Sequence, residues 1–224
     1  MLKEIQYYSP LRRWFFPRYS FQFTPPQLVF LCQCIEQTMD VTGSISEIGC
    51  AAGQTTVFLS KYMDARRIDK SYFAIDTFSG FTETDIHYEV ENRGKSYSGY
   101  TGFRVNSKKW FDFTMRQNRV SRVQSRKADV NTFDLTTLAP LSFSLLDVDL
   151  YRPTKKALPE LFEVTSPGGI IIVDDCDEES SRWDGSDQAY KEFIRQIDHP
   201  IEIVHGKLGV IRKPMDRMEM DLEG

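Results

Sequence analysis

The sequence predicts an α/β domain: a doubly wound, mostly parallel seven-stranded sheet that closes with a C-terminal antiparallel hairpin. Three observations carry this. Short apolar runs alternate with helix-period stretches along the chain. Three of those runs stop on an acid, at Asp76, Asp147 and Asp174. The last two, 201–204 and 208–211, flank His205-Gly206-Lys207, which is a hairpin signal.

Residues 1–26 are aromatic and basic (Arg12, Arg13, Trp14, Phe15, Phe16, Arg18, Tyr19). They read as an arm packed on the domain, with a pocket wall or a homodimer arm as sharper alternatives. Pro25 and Pro26 open a helix with Leu28, Phe30, Leu31, Cys34, Ile35 and Met39, since proline costs nothing in a first turn. Residues 44–48 form a buried strand, and a second helix over 55–63 follows almost directly. Residues 71–76 are the second strand. Residues 77–106 carry Gly80, Gly94, Gly99 and Gly102 with no sustained period, and read as a lid-like insertion. A short amphipathic helix over 108–117 leads to a third strand over 120–128 and a fourth over 141–146. In the helix expected over 151–164, Pro153 suits the first turn, whereas Pro159 predicts a kink or a late start. Gly168-Gly169 leads into a central strand over 170–173, and 188–197 is helical. The tail, 214–224, alternates Met and acid and is expected to fray. With neither repeat nor linker, the 224 residues read as one domain.

Composition narrows the function. Apolar residues make up 41% and aromatics 13%, which excludes disorder as the main state. The 28 basic and 32 acidic residues leave a net charge of −4, so a nucleic-acid or anionic-membrane coat is not expected. No apolar run is long enough for a membrane span, and the first residues lack a signal peptide's order. Cys32, Cys34, Cys50 and Cys176 fit no zinc spacing and suit a reducing cytoplasm.

The segment Glu47-Ile48-Gly49-Cys50-Ala51-Ala52-Gly53 joins the first strand to a helix. Small residues there let a ligand approach the backbone, and the helix start offers free N–H groups. A dinucleotide turn wants small residues at offsets 0, 2 and 5, but the third position is Gln54. Small residues at offsets 0, 2 and 4 after an acid fit a methyl-donor turn, met by Glu47, Gly49, Ala51 and Gly53. Glu47 would repel a pyrophosphate and suit the cationic amino-acid end of S-adenosylmethionine. Asp76 ends the second strand, where a carboxylate can accept from two ribose hydroxyls. Asp129, after the third strand, can accept from an adenine amino group or cap a helix.

Asp147 and Asp149 follow the fourth strand, and Asp174 and Asp175 the fifth. In neighbouring parallel strands these ends open on one edge. Converging carboxylates need protons or a cation, and oxygen-only ligands favour Mg²⁺. Such an ion lowers the pKa of a bound hydroxyl, and a nearby carboxylate can take the proton. His87 in the insertion could reach a substrate or lie on the surface, while His199 and His205 read as solvated.

These residues resemble a known family. Glu47 to Gly53 is similar to motif I of class I S-adenosylmethionine-dependent methyltransferases. Asp76-Thr77-Phe78-Ser79-Gly80-Phe81, Asp147-Val148-Asp149-Leu150-Tyr151 and 167–175 resemble the macrocin O-methyltransferase (TylF) family. The resemblance implies a Rossmann-like methyltransferase fold and Mg²⁺-assisted methylation of a sugar or phenol hydroxyl on a natural product. It also implies Asp147, Asp174 and Asp175 as metal ligands, and Asp147 or Asp149 as the base that takes the proton. The remaining alternatives are a nicotinamide-dependent oxidoreductase and a non-catalytic nucleoside-binding module.

Overall fold

The computed structural model describes Ile5, Ser9 and residues 21–177 and 182–215. Most of the expected arm and nearly all of the expected frayed tail lie outside the described residues. The seven strands are β1 (Ser44–Ile48), β2 (Tyr72–Asp76), β3 (Val123–Lys127), β4 (Leu141–Leu146), β5 (Thr165–Val173), β6 (Ile203–Val204) and β7 (Leu208–Arg212). They form one sheet in the order β3-β2-β1-β4-β5-β7-β6. The pairings from β3 through to β5 are parallel, and β7 pairs antiparallel with both β5 and β6. Every residue of β4 is buried, as a strand covered on both faces requires.

Register explains why the acids meet. Ile48 lies beside both Ile75 and Leu146, and Leu146 lies beside Val173. Gly49, Asp76, Asp147 and Asp174 therefore emerge in one row at the carboxyl edge. The chain leaves β1 toward β2 on one side and finds β4 on the other, so the row spans the switch point where open α/β sheets hold ligands.

Among the described residues, six α-helices of ten residues or more flank the sheet. On one side, α1 (Pro25–Gln37) and α2 (Gln54–Arg66) bury Leu31, Ile35, Leu59 and Met63 against the sheet. On the other, α5 (Tyr151–Val164) and α6 (Asp184–Gln196) bury Leu158, Leu161, Phe193 and Ile194. Between β2 and β3 lie α3 (Glu83–Arg93) and α4 (Lys108–Gln117). None of the helices among the described residues is long and apolar enough to cross a membrane.

Three elements depart from the sequence expectation. The insertion over 77–106 contains a regular helix, α3. Thr82 caps it by accepting from the Asp85 N–H at 3.2 Å. Its buried face carries Asp85 and Glu89 beside Ile86, so no apolar period betrays it. Second, α5 begins at Tyr151 and passes through Pro159 without interruption. Third, β5 starts at Thr165, directly after α5, and takes Pro167, Gly168 and Gly169 into the strand. Thr165 Oγ1 donates to the Leu161 carbonyl at 2.7 Å and closes the helix there.

Candidate active site

A cavity opens at the carboxyl edge, with Gly49, Ala51, Asp76, Asp129, Asp147 and Asp149 in its wall. Gly49 has φ +91°, and a Cβ there would stand 1.8 Å from the Asp147 carbonyl oxygen. Only glycine lets the ends of β1 and β4 close to this spacing. Ala51 also takes a left-handed backbone, φ +44°. Its N–H donates to Asp76 Oδ2 at 2.8 Å, while the Phe78 N–H donates to Asp76 Oδ1 at 2.6 Å. Asp76 thus ties the turns after β1 and β2 together and still faces the cavity, with lone pairs left for a ligand's hydroxyls.

Two residues of the glycine turn face elsewhere. Glu47 does not line the cavity. It is buried, and its Oε2 accepts from Thr56 Oγ1 at 2.6 Å and Tyr72 Oη at 2.7 Å. Burial pushes its carboxyl up to about 7, against the lowering effect of the two hydroxyls. The expected contact with a cationic ligand end therefore gives way to a structural role. Gly53, with φ +86°, meets Met115 Cε and the Phe111 ring where its Cβ would be. Its small size serves the packing of α4 rather than ligand approach. His87 is exposed and lies beside the Tyr97 ring, away from the cavity wall.

Asp129 lines the cavity, and its Oδ1 accepts from the Asn131 N–H at 2.9 Å and from Asn131 Nδ2 at 3.0 Å. The same amide donates to Asp85 Oδ2 at 2.8 Å. Asp85, which the sequence did not single out, is also in the wall, and its buried Oδ1 has no hydrogen-bond partner. Burial raises its pKa. Phe81 and Phe103 supply the cavity's aromatic surface, with ring centroids 5.4 Å apart.

One carboxylate oxygen from each of Asp147, Asp149 and Asp175 lies within 4.8 Å of the others. Asp149 (φ +63°) and Asp175 (φ +58°) reach this point through left-handed backbone, which Asp tolerates better than most residues. Burial, then the neighbouring acids, pushes the carboxyls of Asp147 and Asp149 well above the usual carboxylate range. Asp174 adjoins this trio, and of the neighbouring acids its charge acts most strongly on Asp147. Its Oδ2 accepts from Lys207 Nζ at 2.6 Å, and its buried Oδ1 has no partner. Burial and Asp175 raise its pKa to about 6. The same Lys207 Nζ donates to Asp175 Oδ1 at 3.2 Å. A set of hard oxygen donors, crowded and short of positive charge, fits a small divalent cation. The sequence expectation is Asp147, Asp174 and Asp175; the three carboxylates close enough to share an ion are those of Asp147, Asp149 and Asp175, while Asp174 pairs with Lys207. The only sequence signal for Lys207 is a basic residue in the hairpin turn beside β5.

The profile of the macrocin-O-methyltransferase (TylF) family matches residues 26–213. The chain belongs to the macrocin O-methyltransferase (TylF) family. As a TylF-family protein it is a methyltransferase, so the nicotinamide reading of the glycine turn and the non-catalytic module both fall away. No curated protein matches the chain. Solved methyltransferases share the TylF-family fold at low identity. The O-methyltransferase NovP is 19% identical at a TM-score of 0.68, over 84% of this chain and 79% of NovP. The calicheamicin methyltransferase CalS11 is 17% identical at 0.68, over 94% of this chain and 89% of CalS11. An apo structure of CalS11, described as a TDP-rhamnose 3'-O-methyltransferase, is 18% identical at 0.60, over 94% of this chain and 90% of that one. The free cysteines Cys32, Cys34, Cys50 and Cys176 are all buried.

Proposed function

We propose that this TylF-family protein is an S-adenosylmethionine-dependent, Mg²⁺-assisted O-methyltransferase acting on a hydroxyl of a small molecule, of the natural-product sugar or phenol class. One observation carries the reading: a single cavity is walled both by Asp76 and Asp129 and by Asp147 and Asp149 of the acid trio. Asp76 would hold the ribose hydroxyls, Asp129 the adenine amino group, and the Gly49 backbone would let the nucleoside lie against the end of β1. Asp147, Asp149 and Asp175 would hold the ion. When bound, the donor supplies a sulfonium methyl and the ion lowers the pKa of the acceptor hydroxyl. Asp147 or Asp149, both in the cavity wall, would take the acceptor's proton. The paired Phe81 and Phe103 rings offer the acceptor an apolar face, which suits a phenol or the C–H face of a sugar. The sugar hydroxyl in CalS11's description points the same way.

Calorimetric titration with S-adenosylhomocysteine tests the donor half of this reading. The expected result is one-site binding that Asp76→Ala weakens at least tenfold, since two hydroxyl contacts go with the carboxylate. A folded protein that gives no heat ends the proposal. Methyl transfer to TDP-sugars and simple phenols, with and without EDTA, tests the acceptor half.

A further inference from the structure

We propose that Lys207 is the resident counter-cation of the acid cluster: a positioning residue that holds Asp174 and Asp175 and weakens the cluster's grip on a divalent ion. This rests on the reading of the cluster as an Mg²⁺ site.

The lysine is placed by contacts from α1, from the end of β5 and from Phe23. Its hairpin turn is pinned to α1, where Gln27 Nε2 donates to the His205 carbonyl at 3.0 Å and the Phe30 ring lies 5.2 Å from the His205 ring. Its own carbonyl accepts from the Cys176 N–H at 2.8 Å, which fixes the turn against the end of β5. The Phe23 ring lies 5.1 Å from Nζ, so an aromatic face meets the ammonium beside the acids. From this position Nζ bonds Asp174 at 2.6 Å and Asp175 at 3.2 Å.

The charge balance gives the consequence. Asp147, Asp149, Asp174 and Asp175 converge, and Lys207 is the cation bonded to two of them. Without a metal, the ammonium offsets part of their repulsion and lets the edge stay folded. With a metal, the same fixed charge opposes the incoming ion. Removing one unit charge a few ångströms from a divalent ion changes its affinity by about tenfold or more at surface-like screening.

The test uses the full chain with Lys207→Met and Lys207→Arg. Each protein is stripped with EDTA and titrated with MgCl₂ and MnCl₂ by calorimetry, then melted in EDTA and in metal. Lys207→Met is expected to bind the ions about tenfold tighter, to melt lower than wild type in EDTA, and to gain more on adding metal. Lys207→Arg keeps the charge and is expected to match wild type. Equal melting losses in EDTA and in metal, with affinity unchanged, would show a merely structural lysine and overturn the inference. Weaker binding in Lys207→Met overturns it too. If Lys207→Met does not fold, Lys207→Met/Asp174→Asn removes the pair together and should fold; failure of that double variant also ends the inference. If wild type binds neither ion, the metal reading is lost. The counter-charge is then judged on melting in EDTA: Lys207→Met below Lys207→Arg sustains it, and equality ends it.

Discussion

Glu89 Oε1 accepts a hydrogen bond from the Tyr151 N–H at 2.8 Å, so a buried acid of α3 caps the first residue of α5. Its other oxygen accepts from Arg93 Nε at 2.8 Å, and Arg93 Nη2 reaches Asp184 in the first turn of α6 at 2.9 Å. Through these bonds the helix between β2 and β3 is clamped onto the sheet's carboxyl edge. Glu89→Ala leaves the Tyr151 N–H and part of Arg93 unpaired, and is expected to cost about 3 kcal/mol. Glu89→Gln keeps an acceptor for Tyr151 and should lose about half of that. Urea unfolding measures both. Because Thr82 and Asp85 at the start of α3 line the cavity, Glu89→Ala should also weaken S-adenosylhomocysteine binding. An unchanged unfolding midpoint in Glu89→Ala would show that the clamp contributes nothing.

The two turn glycines should respond differently to one methyl group. At Gly49 the new Cβ would overlap the Asp147 carbonyl, which is backbone and has nowhere to go. Gly49→Ala is expected to cost 3 kcal/mol or more, on the order of a severe core lesion, and to abolish donor binding. At Gly53 the nearest atom is the flexible end of Met115, at 2.5 Å. Gly53→Ala adds to its backbone penalty of about 1 kcal/mol a shift of the buried Phe111 ring, 2.9 Å from the new Cβ, and is expected to lose less than Gly49→Ala, because a side chain and not backbone has to move. Thermal unfolding of the two proteins side by side decides it; equal losses would contradict the distinction.

How far the site was legible follows from what each residue answers to. The row of Gly49, Asp76, Asp147 and Asp174 could be read in advance because apolar strands announce their own ends and parallel order puts those ends on one edge. Side-chain direction could not. Glu47 turns toward Thr56 and Tyr72, and Gly53 toward Phe111 and Met115, because of partners far away in sequence. Asp149 and Asp175 join the trio through left-handed backbone at non-glycine positions, which no pattern of residue types encodes. Helix α3 escaped because its buried face is acidic and is satisfied by Tyr151, Arg93 and Asn131 instead of by apolar packing.

Glu47 makes stability fall with pH across the neutral range. Its folded pKa, about 7, lies above the ordinary 4.5, so the folded state binds the proton more tightly than the unfolded one. This contribution is complete below the unfolded value and is lost as pH rises through the folded one. The full span corresponds to about 3 kcal/mol as an upper bound. Glu47→Gln keeps an oxygen for Thr56 and Tyr72 but removes the titration. Its unfolding free energy should therefore stay flatter than that of wild type between pH 5 and pH 8, as the folded proton is lost near about 7. Parallel pH profiles in urea unfolding would show that Glu47 does not titrate in this window.

Asp174 and Asp175 are neighbours with different expected effects on the ion. Asp175 offers an oxygen to the trio with Asp147 and Asp149, whereas Asp174 spends one oxygen on Lys207 and buries the other without a partner. Asp175→Asn removes a charged ligand and is expected to lower Mg²⁺ affinity by about a hundredfold or more. Asp174→Asn acts through Lys207 and should change affinity by about tenfold at most. It should cost stability instead, because the ammonium loses its nearer partner. Calorimetric titration of the two stripped proteins with MgCl₂ separates the effects, and urea unfolding reads the second. A loss in Asp174→Asn equal to that in Asp175→Asn would place Asp174 in the ligand set in place of Asp149, as the resemblance alone implied. Lys207 would then have to leave Asp174 Oδ2 before an ion could bind there.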